Sequence, residues 1–68
     1  MEFIKLDLIK QYDGGTATSY LRKDEILEIE EPNVVGAGSY IVTKGNRSMY
    51  AIQSVSEVLR LLGNKKIK

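Results

Sequence analysis

The chain has 68 residues, a net charge of +1, and neither cysteine nor histidine. This composition excludes disulfides, zinc sites built on Cys or His, and nucleophilic chemistry at either residue. One domain of this length has a core that supplies only about 3–5 kcal/mol. Small domains compensate with disulfides, metals or partners, and we therefore expect this one to associate with itself.

Residues 3–10 alternate between apolar and polar side chains, which predicts a first β-strand. The side chains expected on its apolar side are Ile4, Leu6 and Leu8. Glycines in residues 13–15 can adopt positive φ and predict a turn. Residues 16–21 are then expected to form the return strand of a hairpin.

Residues 22–25 interrupt this alternation and predict a single helical turn or a tight turn. Alternation resumes in residues 26–30, the third predicted strand. Its side chains are expected to point inward at Leu27 and Ile29, and toward solvent at Glu28 and Glu30. Proline at position 32 cannot donate to a ladder, so the strand is expected to end before it.

Residues 33–38 contain two glycines and predict a flexible loop or a wide hairpin connection. Two further strands are expected at residues 39–44 and 48–52, joined by a turn at residues 45–47. Tyr40 is predicted to share one face of this hairpin with Val42, and Tyr50 belongs to its partner strand.

The last predicted element is a helix that begins after Ser54, with Glu57 at the capping-box spacing. Apolar residues follow at helical spacing and form one stripe: Val55, Val58, Leu59 and Leu62. Gly63 is the expected C-terminal stop. Residues 64–68 form a basic tail.

The predicted fold is mainly β with one C-terminal helix (α+β), in a single domain spanning residues 1–63. About five short antiparallel strands indicate a strongly bent sheet or a small SH3-like barrel, with the helix plugging one end or covering one face. The alternative is an open antiparallel sheet with the helix on one side.

Charge is distributed unevenly along the chain. Residues 1–31 carry four basic and eight acidic side chains, a net −4, whereas residues 44–68 carry six and one, a net +5. Both groups can lie on solvated faces of one fold. Alternatively, the molecule is bipolar and pairs head-to-tail, or docks a charged partner through one end.

The sequence predicts no catalytic, cofactor-binding or metal-binding residues. The carboxylates of residues 24–31 are interpreted as a solvated face, because calcium loops need a glycine-containing turn that this segment lacks. Gly36 and Gly38 precede a strand, whereas phosphate-binding loops lead from a strand into a helix.

Aromatic and basic residues cluster near the second hairpin, and small barrels bind nucleic acid with such residues. The candidate contacts for nucleic acid or another partner are Tyr40, Lys44, Arg47 and Tyr50, with Lys65, Lys66 and Lys68 from the tail. Tyr20 could join them. The alternative is that the tyrosines belong to the core or an interface, and that the turn containing Arg47 merely reverses the chain.

Four segments resemble the short FlbD-type proteins of bacterial flagellar operons. They are Ile26-Leu-Glu-Ile-Glu-Glu31, Tyr40-Ile-Val-Thr-Lys-Gly-Asn46, Met49-Tyr-Ala-Ile52 and Ser54-Val-Ser-Glu-Val58. They match that family in order: a strand, a hairpin with a glycine-containing turn, and a capped helix. The resemblance covers about two thirds of the chain and implies a flagellar-operon regulatory protein without a catalytic motif.

We therefore expect a non-enzymatic protein-interaction or regulatory module of bacterial or phage type that self-associates, for instance as a dimer. The alternatives are a nucleic-acid-binding small β-barrel and the flagellar role. No apolar run is long enough for a transmembrane helix or a signal-peptide core, which predicts a cytoplasmic protein. No cofactor is expected.

Overall fold

A computed structural model describes residues 2–10 and 13–63. The strands are β1 (Phe3–Ile9), β2 (Thr16–Arg22), β3 (Ile26–Glu30), β4 (Ser39–Thr43) and β5 (Arg47–Ala51). A 3-10 helix (Lys23–Glu25) links β2 to β3, and one α-helix, α1 (Val55–Leu61), follows β5. The predicted basic tail, residues 64–68, lies outside the described residues.

The five strands form one antiparallel sheet in the order β2-β1-β5-β4-β3. This confirms the prediction of a mainly β fold with a single C-terminal helix. Within the described part of the chain, β2 and β3 form no ladder with each other, so they are the two margins of an open sheet. The prediction of a closed barrel goes beyond what this sheet shows.

The core lies between the sheet and α1. Its buried apolar side chains are Ile4, Leu6, Ile26, Ile41, Ala51, Val58 and Leu62. Ile4 and Leu6 are two residues apart, so both point to the same side of β1, as the alternation predicted. Leu8 is only partly buried, because it packs at the border of this cluster.

The predicted orientation of Leu27 is wrong. Its side chain is 50% exposed, whereas Ile26 is buried and Ile29 partly buried. The register between β3 and β4 shifts after Ile26, so Leu27 is the extra residue of a β-bulge. A bulge changes the alternation by one residue, which puts Ile26 and Ile29 on the core side.

Helix α1 has the predicted cap. The Ser54 hydroxyl accepts a hydrogen bond from the Glu57 amide at 3.2 Å, and Gly63 follows the helix with φ of 85°. Of the predicted apolar stripe, Val58 and Leu62 are buried in the core, whereas Val55 and Leu59 are only partly buried. Nowhere in the described chain is a helix long and apolar enough to cross a membrane.

Both predicted hairpin turns are present. In the first, Gly14 has φ of 73° and the Asp13 carboxylate accepts a hydrogen bond from the Gly15 amide. In the second, Gly45 and Asn46 both have positive φ, which reverses the chain between β4 and β5. Residues 22–25 contain the 3-10 helix, one of the two forms that their sequence predicted.

A short seam between β1 and β5 joins the first hairpin to the other three strands. Its ladder has one residue pair, Leu8 opposite Ala51, and the Ile52 amide donates to the Asp7 carbonyl at 2.9 Å. The Gln53 side chain extends this seam beyond the strand. Its carbonyl accepts from the Asp7 amide at 3.1 Å, and its amide donates to the Asp7 carboxylate at 3.2 Å.

Gly38 lies against this seam at the start of β4. Its amide donates to the Ala51 carbonyl at 2.8 Å. A Cβ atom at this position would lie 2.2 Å from the Ile52 carbonyl oxygen and 2.6 Å from that of Gln53. Those oxygens belong to the backbone, so they can make room for a Cβ atom only if the strands at the seam move apart. The position therefore requires glycine.

We expect Gly38→Ala to lower the free energy of unfolding by about 3 kcal/mol, the upper end of the usual cost of overpacking, because the added methyl group overlaps backbone atoms of the seam. Urea titration followed by circular dichroism measures this change. Gly15→Ala is the matched control, since its Cβ would make only an ordinary contact of 3.4 Å with the Asp13 carboxylate. Equal loss in both variants would contradict the steric explanation.

We expect Gln53→Ala to cost about 1–3 kcal/mol, because it leaves the partly buried Asp7 amide without its acceptor. Thr18→Val removes another hydrogen bond to Asp7, at an exposed position, and should cost less than about 0.5 kcal/mol. Urea titrations of the two variants test this difference, and similar costs would mean that Gln53 is not a structural part of the seam.

Candidate functional site

Three side chains lie in one row across the outer face of the sheet. Glu30 of β3 is opposite Tyr40 of β4, which is opposite Tyr50 of β5. Neighbouring residues of β4, such as Ile41, point to the core, so strand alternation directs Tyr40 away from it. The two tyrosines are therefore brought together on the outer face of the sheet.

The row forms one wall of a cleft with a volume of about 260 Å³. It is lined by Glu30, Glu31, Asn33, Tyr40 and Tyr50. Glu31 and Asn33 belong to the connection that leads from β3 to β4. This cleft therefore combines two aromatic rings, two carboxylates and one amide.

The tyrosine rings contact each other at a tilt. Their centroids are 5.0 Å apart and their planes form an angle of 44°, within the range of favourable aromatic pairs. The Tyr50 hydroxyl donates a long hydrogen bond of 3.5 Å to the Asn33 side-chain oxygen. Both rings are half-buried, so part of their surface remains accessible from the cleft.

Glu28 and Glu30 lie two residues apart on the same side of β3, which brings their carboxyl groups together. A hydrogen bond that protonated Glu30 donates to the Glu28 carboxylate raises the pKa of Glu30, and partial loss of hydration and the like charge of Glu28 raise it further. Each effect favours the protonated, neutral form of Glu30. The negative charges of Glu28 and Glu30 therefore repel each other at this margin of the sheet.

The carboxylates of this margin have no cationic partner within the described residues. The ion pairs of residues 2–10 and 13–63 are Lys10–Asp13, Arg22–Asp24, Arg22–Glu25, Lys23–Glu2 and Arg60–Glu57. None of these pairs includes Glu28, Glu30 or Glu31. The cleft therefore carries uncompensated negative charge beside its aromatic rings.

The predicted basic contacts lie apart from the tyrosines. Arg47 is three residues from Tyr50 and Lys44 is four from Tyr40, on the two sides of the β4–β5 turn, which is about 10–13 Å along the strands. Alternation also places Arg47 on the opposite face from Tyr50. The remaining predicted contacts, Lys65, Lys66 and Lys68, lie outside the described residues.

Sequence reasoning missed the acidic and amide members of the cleft. It interpreted Glu30 as part of a solvated face, and Glu30 is indeed exposed. The pairing of Glu30 with Tyr40 depends on the bulge at Leu27 and on the length of the connection after β3. Strand alternation predicts that Glu30 and Tyr40 point outward, but it does not define which residues of the two strands are neighbours.

Comparison of the chain with protein-family models, with curated proteins and with solved structures finds no match. The resemblance to FlbD-type flagellar proteins stays a prediction from the sequence. Any function proposed for the chain therefore rests on the geometry of the described residues.

We expect Glu28→Gln to lower the pKa of Glu30 toward the ordinary glutamate value. The substitution removes the like charge and leaves an amide that can donate to the Glu30 carboxylate. Carboxyl-carbon NMR titration measures the shift. Glu31→Gln is the control, with the same change in net charge, and should lower this pKa less. Equal shifts in both variants would mean that Glu28 has no specific effect.

Proposed function

We propose that this protein is a non-enzymatic interaction module that self-associates by antiparallel pairing of β2 with β2 of a second copy. The observation that carries this proposal is the regular edge of β2, of which residues 16–21 carry no charge. A strand at a sheet margin presents unpaired backbone donors and acceptors, and it can therefore pair with another chain. Two copies related by a two-fold axis would form one continuous sheet.

The edge of β2 has the properties of a pairing edge. All seven of its residues pair with β1 in an unbroken register, from Arg22 opposite Phe3 to Thr16 opposite Ile9. Residues 16–21 contain no charged residue and no proline. Over residues 16–21 the edge therefore lacks the bulge, proline and charges that block the addition of another strand.

The opposite margin differs in each of these respects. Strand β3 has a bulge at Leu27, two glutamates that point outward, and Pro32 shortly after its end. Bulges, charges and prolines are the devices by which proteins block strand addition at an edge. Of the two margins, β2 is therefore the one suited to pairing.

We also propose that the sheet bends into a partly open, SH3-like barrel. In a flat sheet, four strand spacings would separate β2 from β3 by about 19 Å. The two strands are joined by only the three residues of the 3-10 helix, which advances about 2 Å per residue. This short connection requires the two margins to approach each other near Arg22. Residues 16–18, at the other end of β2, are exposed.

Self-association also fits the size of the chain. A core of seven buried apolar residues within the described part is small, and such domains commonly gain stability from association. The described residues contain no group of three or more carboxylates placed to hold a metal ion. The cleft beside β3 lies near the other margin of the sheet, so pairing through β2 does not occupy it.

We expect Tyr20→Lys to weaken self-association at least about ten-fold. Lysine on an edge strand opposes the addition of another strand, and two-fold pairing brings two such edges together. Leu27→Lys is the matched control. Both substitutions replace an exposed large apolar side chain, 64% exposed at Tyr20 and 50% at Leu27, by lysine. Sedimentation equilibrium over a concentration series measures the dissociation constants.

Leu27→Lys should associate like the unmodified chain, and circular dichroism should show an unchanged sheet in both variants. An unmodified chain that is monomeric at all concentrations would contradict the proposal. Equal weakening by the two lysines would place the contact elsewhere than on β2.

A further inference from the structure

The cleft beside β3 is too small for an ordinary cofactor or substrate. Its volume of about 260 Å³ is below the range of about 300–1,000 Å³ typical of small-molecule pockets. It is large enough to hold one side chain of another protein. The chemistry of its walls then determines which side chain fits.

The walls favour a cation. Glu30 and Glu31 line the cleft without a cationic partner among the described residues. The faces of aromatic rings carry partial negative charge and attract cations. The tilt of 44° between Tyr40 and Tyr50 keeps the rings from covering each other completely.

We propose that this cleft binds an arginine side chain of a partner protein, with the guanidinium group against the tyrosine rings and its N–H groups directed to Glu30 and Glu31. Arginine is favoured over lysine because its planar group stacks on aromatic rings and donates two parallel hydrogen bonds to a carboxylate. The Glu30 carboxylate gains a counter-charge that the described part of the fold does not supply.

This binding site is independent of the proposed self-association. It lies on β3, β4 and β5, whereas self-association uses β2 at the other margin of the sheet. The two proposals can therefore be tested separately. A monomeric chain can bind arginine, and a dimer can form without binding arginine.

The test is an NMR titration of the full, isotope-labelled chain with three blocked peptides that differ only at the central residue of Gly-Gly-Xaa-Gly-Gly. The central residues are arginine, lysine and citrulline, which has the shape of arginine without its charge. The arginine peptide should shift the amide signals of Asn33, Tyr40 and Tyr50. It should bind at least about three-fold more tightly than the lysine peptide. The citrulline peptide should cause no saturable shift.

Matched variants locate the contact. Glu30→Gln and Tyr50→Leu should each weaken the arginine peptide at least about three-fold. Glu25→Gln removes the same charge away from the cleft and should leave its affinity unchanged. Tyr20→Lys, made to block self-association, should bind the peptide like the unmodified chain.

Equal binding of the arginine and citrulline peptides, or shifts away from the cleft, would overturn the proposal. It would also be overturned if Glu30→Gln weakened self-association while the arginine peptide caused no shift, because the occupant would then be a second copy. Tighter binding of the lysine peptide would show that the tyrosine rings do not select a planar cation.

Discussion

The seam between β1 and β5 is the constraint on which the rest of the structure depends. Within the described residues it is the one ladder that joins the β1–β2 hairpin to the other three strands, and it has a single residue pair. Gln53 extends this short ladder, because its side-chain amide bonds to both the backbone and the carboxylate of Asp7. A polar side chain thus does what further strand residues do in a longer ladder.

The same seam positions the cleft. Gly38 bonds to Ala51 across the end of the β4–β5 hairpin, and each lies within two residues of a cleft tyrosine, Tyr40 or Tyr50. A side chain at position 38 would push the two strands apart where their rings meet. The geometry of the aromatic pair therefore depends on the absence of a Cβ atom two residues away, although Gly38 does not line the cleft.

The sequence predicted what local patterns encode. Alternation located β1 and placed Ile4 and Leu6 in the core, and the Ser54 cap located α1. The predicted orientation of Leu27 is wrong, because a bulge depends on the register between two strands. The sequence of β3 alone does not show that register. Sequence reasoning also missed the cleft. Residues 31–38 separate β3 from β4, and a connection of this length leaves open which outward side chains become neighbours.

The two proposed surfaces strengthen each other if both operate. Pairing through β2 leaves the cleft lined by Glu30, Tyr40 and Tyr50 uncovered, so a dimer presents two identical clefts. A single arginine on an exposed aromatic and acidic surface binds weakly. A partner with two suitably spaced arginines would engage both clefts, and the second contact becomes intramolecular, with a gain of about 10²–10⁴ in affinity. Self-association would therefore let a shallow cleft on a small domain select a partner that carries two suitably spaced arginines.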